Sequence, residues 1–155
     1  MTGPRVAAAA VALAVLLGSG GACALVDPDD PERDDLERAR DRWEASGPAS
    51  YRTTQMHVCF CGTEVRGPVT IRVTASGTTR TYVADGRAVP ASYEPFFPTV
   101  AQLFDEIERA LDEDAHDVQA TYDARTGAPL DVFIDWEERT ADEEQGWNLT
   151  PPEPL

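Results

Sequence analysis

The chain contains no lysine and a single asparagine, so all 13 basic residues are arginines, and they face 28 acidic residues. Removal of residues 1–22 takes away only Arg5, which leaves 12 arginines against 28 acids and a net charge of −16. Binding to nucleic acid or to anionic lipid head groups depends on basic residues that neutralise phosphate. The charge balance therefore excludes nucleic acid as a partner.

The sequence also lacks the motifs of common catalytic sites. It has no G-x-S-x-G nucleophile elbow, no H-E-x-x-H motif and no glycine-rich phosphate loop. The two histidines, His57 and His116, leave few ways to assemble a Ser-His-Asp arrangement. Carboxylate pairs are numerous in so acidic a chain, and spacing alone selects no general acid/base pair. We therefore expect no enzymatic activity and no cofactor.

The sequence also lacks an apolar segment long enough to span a membrane, since a membrane-spanning helix needs roughly 20 residues. The run from Val6 to Leu17 has 12 residues, follows Arg5 and is followed by small residues. This order is the three-part signature of an export signal. We expect residues 1–22 to be a signal peptide and the mature protein to have no transmembrane domain.

The cleavage site of this signal can be interpreted in two ways. Residues 20–23, GGAC, are similar to the lipobox of bacterial lipoproteins, in which Cys23 is lipidated and becomes the first mature residue. Residues 22–24, ACA, also fit an ordinary signal peptidase site, which would give a secreted protein. We favour lipidation, because an acidic, proline-containing linker at 23–30 follows the cysteine. The expected location is the cell membrane, through a lipid anchor.

Residues 31–150 have the length of a single domain, and residues 151–155 form a short tail. The first helix is predicted to begin after Asp30 and to end at Gly47. The second helix is predicted to begin at Thr99, which opens a capping box with the glutamine three residues later.

Segments with a two-residue period lie between the helices and after the second one. They read YRTTQMHVCF, PVTIRV, TTRTYVA, DVQATYD and PLDVFIDW. The predicted order is α-β-β-β-α-β-β. This is an α+β fold in which the second helix packs on an antiparallel β-sheet.

The segment HVCFCG begins at His57 and sets one histidine and two cysteines at alternate positions. In a regular strand these three side chains share one face. The other face carries Met56, Val58 and Phe60, is the more apolar, and is therefore predicted to face the core. The cysteines are expected to lie toward solvent or under a loop.

Cys59 and Cys61 are predicted to form a disulfide. Export places them in an oxidising compartment, and lipidation of Cys23 would leave these two to pair. In a flat strand their Cα atoms would stand about 6.6 Å apart, near the upper limit for a disulfide, but Gly62 permits a bend. The alternatives are a zinc or copper site that includes His57, and a thiol-disulfide exchange role.

A second metal hypothesis concerns the acidic segment 135–144, which follows a predicted strand. Its candidate ligands are Asp135, Asp142, Glu143 and Glu144. This segment could fold round a cation. A solvated acidic loop is the favoured interpretation, because runs of like charge generally stay in water.

Six features of the sequence occur together: a first helix ending in tryptophan, SYR opening a strand, CFC, LFDEIERAL, YDARTGAPLDVFID and DEEQGW. In combination they resemble the DUF6174 family of bacterial exported proteins and lipoproteins. The resemblance covers nearly all of residues 42–150. It implies an exported α+β domain and supplies no activity, since the family is one of unknown function.

These observations favour an exported, lipid-anchored domain of the cell envelope with a non-catalytic binding or structural role. Its partners would be the membrane, through the lipid, and an envelope protein. The alternative is an envelope protein that binds a metal ion through the acidic segment 135–144 or through His57, Cys59 and Cys61.

Overall fold

The structure, a computed structural model, describes residues 30–140 and 142–155. The predicted signal peptide, Cys23 and the linker up to residue 29 lie outside the described residues. No helix in the described ranges is both long and apolar enough to cross a membrane. The elements are α1 (Pro31–Ser46), β1 (Tyr51–Cys59), β2 (Val69–Thr74), β3 (Gly77–Tyr82), α2 (Val100–Asp112), β4 (Asp117–Tyr122), β5 (Pro129–Asp135), β6 (Gln145–Leu149) and β7 (Glu153–Pro154).

The strands form one antiparallel sheet in the order β3-β2-β1-β6-β5-β4, and β7 pairs with β1. The predicted α+β class is confirmed. The predicted element order did not include β6 or β7. β6 reads QGWNL, which is short and includes a glycine and an asparagine, two residues that strands disfavour. This unpredicted strand lies between β1 and β5, so it joins the first three strands to the β4–β5 hairpin.

Both helices begin at the predicted caps. A side-chain oxygen of Asp30 accepts a hydrogen bond from the backbone N–H of Arg33 at 3.0 Å, and Gly47 is the C-cap of α1. At α2, the Thr99 hydroxyl accepts from the Gln102 backbone at 3.3 Å, and the Gln102 side chain accepts from the Thr99 backbone at 2.9 Å. The capping box satisfies two N–H groups that a helix start otherwise leaves unpaired.

The main core lies between the helices and one face of the sheet. The buried residues of α2 are Val100, Leu103, Phe104, Ile107 and Ala110. They pack with Val132, Ile134, Trp147 and Leu149 of the sheet. A smaller cluster of Val69, Ile71, Val89 and Phe97 lies beside it. Apart from Pro129 and Gly146, the alternate positions of the strands are exposed or half-buried, so the other face of the sheet is open.

Arg80 connects β3 to the start of α2 from a buried position. Its Nε donates to the carbonyl oxygen of Phe97 at 2.6 Å. Its two terminal nitrogens donate to side-chain oxygens of Glu94 and Gln102, each at 3.3 Å. A buried charge is tolerated when it is both paired and hydrogen-bonded.

The turn between β4 and β5 lies directly against α1. Gly127, at φ +81°, lies so close to α1 that a Cβ would overlap the carbonyl oxygen of Ala39, whereas a Cβ at Gly86, at φ +70°, has nothing within 4 Å. Gly86→Ala should cost about 1–2 kcal/mol because of its left-handed backbone. Gly127→Ala should cost about 1–3 kcal/mol more, because the turn must move off the helix. Chemical denaturation of both variants measures the difference, and equal losses would contradict this account.

Candidate functional site

β1 presents to the core the face that was expected to face solvent. Its buried side chains are those of Tyr51, Thr53, Gln55 and His57. The prediction that Met56, Val58 and Phe60 face the core is therefore wrong. The physical reason lies at the start of the strand, where the Tyr51 hydroxyl accepts a hydrogen bond from the backbone N–H of Val100 at 3.0 Å. Because side chains alternate along a strand, this contact fixes the orientation of every later residue.

The imidazole of His57 is enclosed between two aromatic rings. It stacks on Trp147, its cross-strand neighbour in β6, at 5.3 Å between ring centroids, and it contacts the Phe96 ring at 5.6 Å with an interplanar angle of 32°. The side chain is only 2% exposed. Its Nδ1 lies 3.0 Å from the carbonyl oxygen of Val65 and 3.3 Å from the sulfur of Cys59. The ring is therefore held in one orientation beside the cysteines.

The hydrogen bonds of His57 define its tautomer. A carbonyl oxygen can only accept, so Nδ1 carries the ring proton and donates to Val65. Nε2 is then a bare acceptor, and it is buried with no hydrogen-bond partner. Burial lowers the pKa of His57, while the hydrogen bond to Val65 partly opposes this effect. The ring is therefore neutral at pH 7.

The chain bends after Phe60 and brings Cys61 back beside Cys59. Their Cα atoms are 5.3 Å apart, closer than in a flat strand, and their sulfur atoms lie at disulfide-bonding distance. Arg66 holds the bend, because its Nε donates to the carbonyl oxygen of Cys61 at 2.8 Å. The carbonyl oxygen of Arg66 in turn accepts from the backbone N–H of His57 at 2.8 Å.

His57, Cys59 and Cys61 bring three potential metal ligands together, and we call them the His–Cys cluster. Their ligand atoms all lie within 4.8 Å of one another. Within residues 30–140 and 142–155, no other group of three or more His, Cys, Asp or Glu side chains converges in this way. Nitrogen and sulfur donors of this kind suit Zn²⁺ or Cu⁺.

The acidic candidates have a different arrangement. Asp135 and Glu143 both accept hydrogen bonds from the backbone N–H of Glu137, at 3.2 Å and 2.6 Å. Asp142 and Glu144 belong to no convergent group in the described part of the chain. Two of the four carboxylates thus have a local role in holding the loop after β5.

A second feature is a set of exposed apolar side chains that we call the apolar strip: Met56 and Val58 on the open face of β1, Phe60 in the bend after β1, and Val83 directly after β3. These side chains are 43%, 51%, 78% and 52% exposed, respectively. Val58 lies opposite Gly146, which has no side chain to cover it. The exposure of Met56 and Val58 follows directly from the orientation of β1, because alternate residues of a strand point to opposite faces.

A model of the family described as "Family of unknown function (DUF6174)" matches residues 35–153. The chain belongs to this family. The resemblance seen in the sequence is therefore confirmed, and the matched part of this DUF6174 protein runs from within α1 to β7. It includes both the His–Cys cluster and the apolar strip. No curated protein and no solved structure matches the chain.

The sequence of this DUF6174 protein identifies the cysteines but not the surroundings of His57. Phe96 and Trp147 come from distant parts of the chain and meet the imidazole only when β6 pairs with β1. No local pattern signals this contact. The alternation of apolar residues in QMHVCF shows three members of the apolar strip, but the side of β1 to which they point depends on the contact of Tyr51.

We predict that the stability of the protein falls as pH decreases below about 6.5, the ordinary pKa of histidine. The unfolded chain then takes up a proton on His57 that the folded chain resists, because its folded pKa is lowered. The contribution of neutral His57 to the free energy of unfolding is fully present above pH 6.5 and is lost as the pH falls toward the pKa of His57 in the folded chain. Denaturant unfolding of the oxidised protein between about pH 7.5 and 5.5 measures it.

Two variants serve as controls for this pH dependence. His57→Phe keeps an aromatic ring between Phe96 and Trp147 and should abolish the pH dependence in this window. His116→Gln removes the exposed histidine and should leave it unchanged. If the His57→Phe variant kept the same pH dependence of stability, that dependence would belong to another titratable group.

Proposed function

We propose that this DUF6174 protein is exported, is held at the cell membrane by a lipid on Cys23, and binds an envelope protein through the apolar strip without catalysing a reaction. The observation that carries the proposal is the exposure of four large apolar side chains, two on the open face of β1 and two directly after the ends of β1 and β3. Contiguous exposed apolar surface generally marks a site of interaction.

Phe60 is the expected anchor of the complex. It is the most exposed large apolar side chain in the described ranges and lies at the bend that follows β1. Aromatic residues that enter a pocket on the partner commonly dominate binding energy. Burial of apolar area stabilises such contacts by roughly 25 cal/mol per Å². The partner should therefore present an apolar pocket.

The charge of the chain indicates which charge the partner's surface carries around the apolar pocket. With a net charge of −16 after signal removal, a second copy or an anionic lipid surface would be repelled. A partner with a neutral or basic rim would be attracted, which speeds association. We infer a different protein, with basic residues around an apolar pocket.

The anchor would keep the domain close to the membrane. A linker at 23–30 that is fully extended reaches about 27 Å. Two acyl chains on one cysteine give stable anchoring, whereas one chain gives only marginal binding. The domain would therefore meet partners that lie in or near the same membrane.

A second candidate function is cation binding. The convergence of three donor atoms favours the His–Cys cluster for this role. The acidic segment 135–144 has no comparable convergence among the described residues, and two of its carboxylates already cap a backbone N–H.

Cross-linking in intact cells tests the binding proposal. A photo-reactive phenylalanine derivative in place of Phe60 should give one discrete adduct with another envelope protein. The same group at Thr79, which is exposed on β3, is the control and should give none. Val58→Asp should reduce the adduct at least about tenfold, while lowering stability by no more than about 1 kcal/mol, the span of strand preferences. Equal adducts from both positions, or an adduct with a second copy, would contradict the proposal.

The anchor is tested by intact mass and by fractionation. The native protein should be recovered with membranes and carry a diacylglyceryl or triacyl increment on Cys23. Cys23→Ser should move it to the soluble fraction or block its maturation. A native mature chain that begins at Leu25 without lipid would replace the anchored protein with a secreted one.

A further inference from the structure

We propose that the His–Cys cluster is a redox-dependent zinc site, in which His57 and the reduced Cys59 and Cys61 bind one Zn²⁺ and the disulfide form binds none. The inference is independent of the apolar strip, whose β1 residues lie on the other face of that strand. It rests on the positions of the three donor atoms, of which Nδ1 is the nitrogen ligand, and on the unpaired Nε2, which takes the ring proton that Nδ1 gives up.

The backbone already brings the ligands to the required spacing. Zinc bonds of about 2.0–2.3 Å in tetrahedral geometry place neighbouring ligand atoms about 3.5–3.8 Å apart. Nδ1 of His57 and the sulfur of Cys59 are 3.3 Å apart, and all three ligand atoms lie within 4.8 Å. The Cα atoms of Cys59 and Cys61 are 5.3 Å apart. Once the cysteines are reduced, rotation of their side chains at this separation can move the two sulfur atoms to the distance that a shared zinc ion requires.

His57 is held ready for coordination. The ring is fixed between Trp147 and Phe96, so little conformational entropy is lost when it binds an ion. Coordination through Nδ1 replaces the hydrogen bond to Val65 and shifts the ring proton to Nε2. In the present tautomer Nε2 has no partner, and the Oε1 of Gln55, on the same face of β1, is a buried acceptor without a donor.

The charge and exposure of the cluster also fit zinc. Two thiolates neutralise a divalent ion, so the complex adds no net charge to a partly buried site. Cys59 and Cys61 are half-buried, which leaves a route for the ion and for a water ligand at the fourth position. The acidic surroundings raise the local concentration of cations.

The redox step can be written with a phosphine as reductant. The phosphine and one water give the phosphine oxide, two electrons reduce the S–S bond, and two protons complete the thiols. Zn²⁺ then displaces both thiol protons, which are released to solvent. Oxidation by hydrogen peroxide runs the step in reverse: the two thiolates give two electrons to the peroxide, which takes up two protons and leaves as two waters, the S–S bond reforms and Zn²⁺ is released.

The test uses the mature chain with Cys23→Ser, so that no third thiol competes. The chain is reduced with the phosphine, separated from it without air, and titrated with Zn²⁺ against a chromophoric chelator. We expect one Zn²⁺ per reduced chain, release of two protons, and at least about hundredfold weaker binding by the oxidised chain. Co²⁺ in place of Zn²⁺ should give a thiolate charge-transfer band.

Ligand variants assign the donors. Cys61→Ser, at a half-buried position outside β1, should remove tight binding and weaken the Co²⁺ band. His57→Phe should weaken binding by more than the roughly 10–100-fold typical of an outer-sphere group. His116→Gln should bind like the parent, and circular dichroism confirms that each variant is folded.

Three results would overturn the site. They are no binding by the reduced parent chain, equal binding by the oxidised chain, and binding by Cys61→Ser at the parent affinity. Either of the last two would show that the ion is held by other donors than the three of the cluster.

Discussion

The fold depends on the buried polar face of β1, the strand that lies between β2 and β6. An unpaired buried polar group costs about 1–3 kcal/mol, so each side chain on this face needs a hydrogen bond. The partners are three backbone carbonyls: Thr53 donates to Thr150 at 2.6 Å, Gln55 to Pro98 at 3.3 Å, and His57 to Val65 at 3.0 Å. A one-residue slip would expose these donors and break all three bonds. The register of the central strand is thereby tied to three separate segments of the chain.

Local signals in the sequence predict the helices and the hairpins well. Asp30 and Thr99 cap the helices as expected, because caps act over three or four residues. The orientation of β1 was not predictable in this way. The apolar residues at the end of the strand favour burial by their composition, but the contact of Tyr51 with Val100, far along the chain, decides against them. β6 escapes prediction for a related reason, since its place depends on partners on both sides rather than on its own pattern.

The two candidate sites are the two faces of one short segment. His57 and Cys59 of the His–Cys cluster lie on the inner side of β1, and Met56 and Val58 of the apolar strip lie on its outer side. Phe60 stands between Cys59 and Cys61, so any change in the bond between the sulfurs acts on the backbone that carries the most exposed apolar side chain. Ion binding and partner binding would then be coupled through a single bend, which Arg66 holds in place.

The surplus of acid gives both proposals a common electrostatic basis. Seven arginines, including Arg80 and Arg109, form ion pairs with carboxylates of the same domain. Within residues 30–140 and 142–155 these pairs leave more than half of the acidic residues without an arginine partner, so the field around the domain stays negative. Such a field attracts cations and basic partners and repels copies of the same chain. The uncharged apolar strip then supplies the contact that a purely acidic surface lacks, because apolar burial does not depend on the sign of the field.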